Sequence, residues 1–271
     1  KVLLIQMKGV AINHEDDPNF GQVLGYGSAG FHEILEVLSV NAGAKTIQFT
    51  NTIKASYNAN DDVQLVKIAK YTNYTVPSGG LTCDPWDGKK GGVLFIEVPG
   101  TLTLNGDINT SGKGFRGGDL LNESIGNAVL FGTSPEETFS NGRWVIENKQ
   151  IPYTDYSGTD QYFYYTWYYS GQKGEGVANY NWPQEELGRG PLGSGGGAGI
   201  KHNTGGHGGF KYGYNAGGGC RTDKGYGLGG YALGRMGGLR LYLGGCAGSG
   251  HENNNCSCYL NPRNDISKIL I

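Results

Sequence analysis

The chain has few charged residues and no long apolar run. Charged residues make up 17% of its 271 positions, and the formal net charge is −2. Electrostatic binding to nucleic acid or to an anionic membrane needs an excess of positive charge, so this composition argues against both. A run such as Val2–Ile5 is far shorter than the roughly 20 residues that span a bilayer. We therefore expect no nucleic-acid partner and no membrane insertion.

Proline is also scarce, with 9 residues, and glycine follows no strict chain-long repeat. Together these absences exclude collagen. Disordered glycine-rich linkers usually lack aromatic residues, whereas this chain has 18 tyrosines. Glycine itself is abundant: residues 171–250 hold 29 of the 50 glycines, and the other 191 residues hold 21. The sequence therefore predicts a second, ordered region with its own packing.

The cysteines are few and odd in number: Cys83, Cys220, Cys246, Cys256 and Cys258. Their spacing lacks the paired Cys-x-x-Cys motifs of zinc sites, so disulfides in an oxidising compartment are favoured. Cys220 and Cys246 each follow a run of glycines. Because close backbone packing there would bring them within bonding distance, we predict a Cys220–Cys246 disulfide. Buried free thiols are the alternative.

The N-terminal part of the chain, positions 1–110, has the patterns of strands. Segments such as Val2–Met7 and Val63–Ile68 are apolar or alternating, and the segments 31–40 and 46–50 favour a hairpin. Thr101–Ile108 alternates around Asn105-Gly106, a pair typical of hairpin turns. Nowhere does a capped helical period persist. These patterns predict an all-β fold with an N-terminal β-sandwich, barrel or β-helix-like region.

The glycine-rich region has a local period of three. Three residues per turn is the period of polyproline II, and glycine on one face lets such helices approach closely and bond through their backbones. We expect several short helices of the polyproline or polyglycine II type. The glycines in register are Gly190, Gly193, Gly196, Gly199, Gly205 and Gly208.

Aromatic residues concentrate between the two regions, where residues 153–169 contain nine in 17 positions. Tyrosine and tryptophan supply rigid contact area with a polar tip, which is typical of binding faces. The alternative is that these rings cover the glycine-rich region. The predicted ligand-binding residues are Tyr162, Tyr164, Tyr165, Trp167, Tyr168 and Trp182.

No pattern of catalytic residues stands out, so we predict no catalytic site and no cofactor other than calcium. Two oxygen-rich segments, 14–17 and 58–62, are candidate calcium loops, with solvated turns as the alternative. Their candidate ligands are Asp16, Asp17, Asp61 and Asp62. Glu185-Glu186 lies near Trp182, as in a sugar site, but an exposed loop is the commoner meaning of such a pair.

Composition shifts divide the chain into four parts. We predict a β domain at 1–118, an aromatic-rich insertion at 119–187, a packed glycine-rich region at 188–254 and the start of a further strand or linker at 255–271. Because residues at both ends have strand patterns, we expect the remainder of a longer polypeptide to adjoin this piece.

Several segments carry a family likeness. They are Val2–Gly9, Gly79–Trp86 followed by Gly91–Val98, Thr101–Gly118, and Gly229–His251 with Glu252–Asn254. The chain resembles the glycine-rich N-terminal regions of large secreted surface proteins of Bacteroidetes, which often end in a gliding-motility-associated or type IX secretion sorting domain. Residues 119–187 match that pattern poorly, and Cys246 interrupts its usual run of glycines.

The resemblance implies an extracellular, cell-surface, adhesin-like module without catalytic residues. Its partners would be the type IX secretion machinery and a glycan or surface ligand. Alternatives are a polysaccharide-acting enzyme, a structural cap, spacer or secretion-complex partner, and a phage tail-tip adhesin.

Overall fold

The structure is a computed structural model. It describes residues 1–119, 171–180, 185–199, 205–209, 227–231, 233 and 240–249, together with the backbone of strands at 147–154, 160–167 and 269–270.

Strands dominate the described part of the chain, where the only helix is a 3-10 turn at Ala59–Asp61. The predicted all-β class is confirmed. The strands are β1 (Val2–Gln6), β2 (Ala11–Ile12), β3 (Val23–Gly25), β4 (His32–Leu35), β5 (Val37–Asn41), β6 (Thr46–Phe49), β7 (Val63–Lys67), β8 (Ala69–Lys70), β9 (Tyr74–Val76), β10 (Leu94–Glu97), β11 (Leu102–Leu104), β12 (Glu147–Thr154), β13 (Asp160–Trp167) and β14 (Ile269–Leu270). None of the described residues forms a helix long and apolar enough to cross a membrane.

The first strand lies in the middle of an antiparallel sheet of order β4-β1-β7. Its sequence is apolar at four consecutive positions, which fits a strand that is covered on both faces. Leu3 is fully buried and pairs with Ile34 on one side and Val66 on the other.

A second set of strands pairs in parallel at a nearly constant offset in sequence. Ala69 pairs with Ile96 in β8–β10, Tyr74 with Leu102 in β9–β11, and an isolated bridge joins Leu81 to Ile108. Because the offset hardly changes from one pair to the next, the segment 94–108 lies alongside the segment 69–81 and runs in the same direction. β14 adds a further parallel strand beside β10.

The predicted hairpin at Asn105-Gly106 is wrong. The amide of Asn105 donates to the carbonyl of Val76 (3.1 Å), so the turn lies against the preceding parallel strand and does not fold back on β11. A Cβ at Gly106 would collide with the carbonyl oxygen of Pro77. Glycine is needed here for close approach to a remote segment, a role that the local sequence does not distinguish from a hairpin turn.

One hydrophobic core joins the strand region to the glycine-rich region. Leu3, Ile5 and Phe20 belong to the same buried cluster as Val177 and Leu192. Leu233, Tyr242 and Leu243 complete it from the C-terminal side. Contacts therefore cross the predicted segment boundaries near residues 119 and 188.

Three two-stranded antiparallel pairs complete the described fold, and the shortest joins β2 to β3. β5 and β6 pair antiparallel as predicted, with an irregularity in register between Val37 and Ser39. Leu38 and Val40 on this hairpin are 65% and 66% exposed. β12 and β13 pair antiparallel over eight positions, from Glu147 opposite Trp167 to Thr154 opposite Asp160.

Candidate functional site

Residues 194–199 are surrounded by other segments of the same chain. Their backbones exchange hydrogen bonds with five segments: 171–176, 188–190, 205–209, 227–231 and 244–249. The bonds are Gly174 N to Gly196 O (2.8 Å), Gly196 N to Cys246 O (2.8 Å), Ala198 N to Gly188 O (2.8 Å), Gly197 N to Leu228 O (2.8 Å) and His207 N to Gly197 O (2.9 Å). Because buried backbone groups are costly when unpaired, this exchange lets a segment outside any strand lie in the interior.

Three consecutive glycines in this segment face three different neighbours. A Cβ on Gly195 would collide with the carbonyl oxygen of Gly174, one on Gly196 with that of His207, and one on Gly197 with that of Arg189. No larger residue fits at any of the three positions without moving backbone. The abundance of glycine thus reflects close approach of backbones, and we call residues 194–199 with their five neighbours the glycine platform.

A charge network that is largely buried, except at Arg116, links the glycine platform to the segment after β1. Glu175 accepts hydrogen bonds from the backbone amide, Nε and Nη2 of Arg116 at 2.9, 3.0 and 2.9 Å. Lys8 Nζ lies 3.3 Å from Glu175 Oε1 and 3.4 Å from Asp62 Oδ2. Burial alone would raise the pKa of Glu175, but Arg116 and Lys8 outweigh burial and hold that pKa below its usual value. Glu175 therefore stays ionised inside the protein.

Two aromatic rings flank the same lysine. Lys8 Nζ lies 5.6 Å from the ring centroid of Trp86 and 5.8 Å from that of Phe115, and the two rings meet edge to face. The Nε1 of Trp86 is buried and makes no hydrogen bond. The rings and the carboxylates hold the ammonium group between them, so this network serves packing.

A polar cleft opens beside this network. It has a volume of about 270 Å³ and is lined by Gly9, Val10, Ala11, His14, Asp61, Asn179 and Tyr180. His14 Nδ1 lies 2.9 Å from Glu185 Oε2, and the Glu185 side chain is almost fully buried behind it. An ionised carboxylate can only accept a hydrogen bond, so this contact needs the tautomer of His14 with the proton on Nδ1.

Asp61 is the central acceptor of the cleft. Its carboxylate receives hydrogen bonds from Nδ2 of Asn179 (2.6 Å), Nδ2 of Asn58 (2.8 Å) and Nε2 of Gln6 (3.3 Å). These amides come from three distant parts of the chain, which join only in the folded state.

Tyr180 closes one side of the cleft with its ring packed against the hydrophobic core. Burial raises the pKa of Tyr180 to about 12, and the negative charges of Glu186 and Glu175 add to that effect. Its phenol is therefore protonated throughout the neutral range, and it donates its hydrogen bond to Glu186.

The predicted aromatic binding residues lie in part on β13. Tyr162 is at the position opposite Pro152, Tyr164 opposite Gln150, Tyr165 opposite Lys149 and Trp167 opposite Glu147. Tyr168 and Trp182 lie outside the described residues. The structure thus places four of the six on one strand of a two-stranded hairpin.

The predicted calcium ligands have other partners in the structure. Asp61 accepts from three amides, Asp62 pairs with Lys8, and Asp17 accepts from Nδ2 of Asn13 at 3.2 Å. Asp16 is exposed. In the described ranges, no three His, Cys, Asp or Glu side chains form a group fit for a metal ion. Calcium binding stays a prediction.

The predicted disulfide also stays a prediction. Cys246 is buried within the glycine platform, and Cys220 lies outside the described residues. Cys83 is a half-buried free thiol whose pKa is raised by burial.

The exposed-loop interpretation of Glu185 is wrong, because this residue is 2% exposed. Its carboxylate instead holds the imidazole of a residue 171 positions earlier, His14. Sequence reasoning placed His14 only in a calcium loop and missed Asn179 and Tyr180 altogether. No spacing joins these residues, since three separate chain segments contribute them.

No protein-family model, curated protein or solved structure matches the chain.

Proposed function

We propose that this chain is a non-enzymatic, adhesin-like module of the bacterial cell surface that binds glycans or solid surfaces. The observation that carries the proposal is the glycine platform, in which residues 194–199 bond to five neighbouring segments. Backbones locked at so many points resist deformation. A stiff base of this kind suits a protein that presents a binding face outside the cell.

The fold proposed for this module has two layers of regular packing. The parallel pairs, with their nearly constant offset in sequence, correspond to two stacked coils of a β-helix. The segments of the glycine platform belong to no strand, and their mutual hydrogen bonds match a bundle of polyproline II-type helices. Both arrangements gain stability from backbone pairing between remote segments.

The aromatic hairpin, β12 with β13, carries the proposed binding residues. It pairs over eight positions, and β13 carries Tyr162, Tyr164, Tyr165 and Trp167. Aromatic side chains contact sugar rings and solid surfaces with little loss of conformational entropy, since they rotate about only two bonds.

The test is a binding measurement on the whole chain. A quadruple variant, Y162A/Y164A/Y165A/W167A, should lose binding to insoluble cellulose, chitin or glass beads by about tenfold or more, because truncated aromatic anchors dominate such losses. The matched control replaces Leu38 and Val40 on the exposed β5–β6 hairpin by serine and threonine, and should bind as the parent does. If the aromatic variant folds and binds unchanged, the hairpin is not the binding face.

Export by a type IX secretion system is part of the same proposal. Its support is the family resemblance of the segments around Thr101–Gly118 and Gly229–His251. Antibodies against the module should label intact cells that express the native protein. Labelling only after lysis would overturn the surface location.

A polysaccharide-acting enzyme is the second candidate. It is favoured by the meeting of a carboxylate, Asp61, and an imidazole, His14, in one cleft. Incubation with a panel of polysaccharides and chromatography of the products decides the matter. New reducing ends that disappear in an H14A variant would establish the activity.

A further inference from the structure

We propose that the cleft between His14, Asp61 and Tyr180 binds a single neutral sugar ring. This site is separate from the aromatic hairpin, and the inference rests on the proposed function only for its ligand class, glycans. Residues 9–11, the loop at His14, the 3-10 turn at Asp61 and the segment 179–180 build the walls. Three segments far apart in sequence, 9–14, the turn at Asp61 and 179–180, thus converge on one space.

The charge of the cleft selects against anions. Asp61 contributes a carboxylate, and Glu185 lies directly behind His14. Among the described residues that line the cleft, none is a lysine or arginine. The carboxylate of Asp61 would repel an anionic ligand, whereas it would accept a hydrogen bond from a neutral polyol.

Hydrogen-bond capacity is complementary to hydroxyl groups. Three amides donate to the Asp61 carboxylate, which has about four acceptor sites and so retains capacity for a ligand hydroxyl. Asn179 uses its amide nitrogen on Asp61, and its carbonyl oxygen remains an acceptor. The hydroxyl of Tyr180 already donates to Glu186, and its oxygen remains an acceptor. Sugar hydroxyls can donate to each of these acceptors.

The cleft has the size of one sugar ring, and its walls are preformed. The volume of about 270 Å³ is at the lower end of the range of about 300–1,000 Å³ usual for small-molecule sites. The Tyr180 ring is fixed against the core, and Asp61 is held by its three amides. Preformed groups need no ordering when the ligand binds, which lowers the entropic cost of binding a small molecule.

The experiment is an NMR titration of the whole chain with methyl glucoside, methyl galactoside and N-acetylglucosamine. At least one of these neutral sugars should shift the backbone amides of Gly9, Val10 and Ala11. D61N should weaken that binding by about tenfold or more, and H14A, which changes a more exposed residue, provides a second variant. D84N removes an exposed carboxylate outside the cleft and is the matched control. Thermal unfolding of each variant shows that it folds.

Three outcomes would overturn the inference. The first is that no neutral sugar shifts the cleft amides, even at its solubility limit. The second is that the shifts persist unchanged in D61N and H14A. The third is that only glucosamine or calcium produces the shifts, which would make the cleft a cation site. The hairpin variant separates this inference from the proposed function. If that variant loses adhesion but keeps the sugar-induced shifts in the cleft, the two sites are independent. If that variant loses adhesion and the parent shows no sugar-induced shift, the proposed function stands and the inference about the cleft is wrong.

Discussion

The ammonium group of Lys8 lies 3.3 Å from the carboxylate of Glu175, although 167 residues separate the two in sequence. Both side chains are less than a tenth exposed. Their pairing links the end of the first strand to the edge of the glycine platform. A buried ion pair between two regions makes the folding of each depend on the other.

Removing the carboxylate should therefore destabilise the whole chain. An E175Q variant leaves Lys8 with Asp62 alone and Arg116 without its partner, and we expect the free energy of unfolding to fall by about 3–5 kcal/mol. Urea unfolding followed by tryptophan fluorescence measures this change. The control is E97Q, which removes a surface pair with Lys1 and Lys70 and should unfold as the parent does. Equal midpoints for E175Q and the parent would contradict the prediction.

The same carboxylate should make stability depend on pH. The pKa of Glu175 is lower in the folded chain than its usual value of 4.5, so its contribution is present above that value and is lost as pH falls through the folded pKa. Burial raises the pKa of Asp62, which gives a contribution of opposite sign. We expect the urea midpoint to drop below about pH 4.5. The drop should be shallower in E175Q and steeper in D62N; identical acid profiles would exclude both groups as the cause.

Glycine substitutions should distinguish the glycines that close backbone packing requires from those that only add flexibility. G197A places a methyl group on the carbonyl of Arg189, and it should cost about 3 kcal/mol or more, because backbone must move. Gly79 has open space around its Cβ position and no positive φ. G79A should therefore be neutral or stabilising by up to about 1 kcal/mol. If both variants melt alike in calorimetry, the platform does not need glycine at position 197.

The loop that follows β6 should depend on a single carboxylate. Glu33 accepts hydrogen bonds from the amides of Lys54 and Ala55, at 2.9 Å each, and from the hydroxyl of Tyr57 at 3.1 Å. In E33A, hydrogen exchange at Lys54 and Ala55 should speed up by about tenfold or more, since local opening becomes easier. Y57F removes only one of the three donors and should change exchange at these amides far less. Unaltered exchange in E33A would show that other contacts hold the loop.

Part of the fold was predictable because strands leave a local signature. The apolar run of β1 and the alternation of β7 predicted strands where the structure has them. The hairpin predicted at Asn105-Gly106 was wrong because the same dipeptide occurs both in hairpin turns and in turns that pack against a remote strand. Only the carbonyl of Pro77, which lies against Gly106, distinguishes the two.

The candidate cleft was largely hidden from the sequence. His14 and Glu185 each belong to polar stretches that are typical of solvated loops. They lie 2.9 Å apart because Val177 and Leu192, on either side of Glu185, share one buried cluster with the first strands. Neither the hydropathy of the sequence nor the spacing of its residues indicates a contact between segments so far apart. Tyr180 and Asn179 gave no signal for the same reason.

The sequence by itself determined the all-β class, the low charge and the local freedom of the glycine-rich segments, because these follow from the chemistry of each residue and its near neighbours. The tertiary structure decided which segments meet: the parallel pairs of β8 with β10 and β9 with β11, the five neighbours of residues 194–199 and the pair of Lys8 with Glu175. Those contacts form when one shared core closes over distant parts of the chain. The free energy of that closure depends on all of them together, so no single stretch of sequence encodes it.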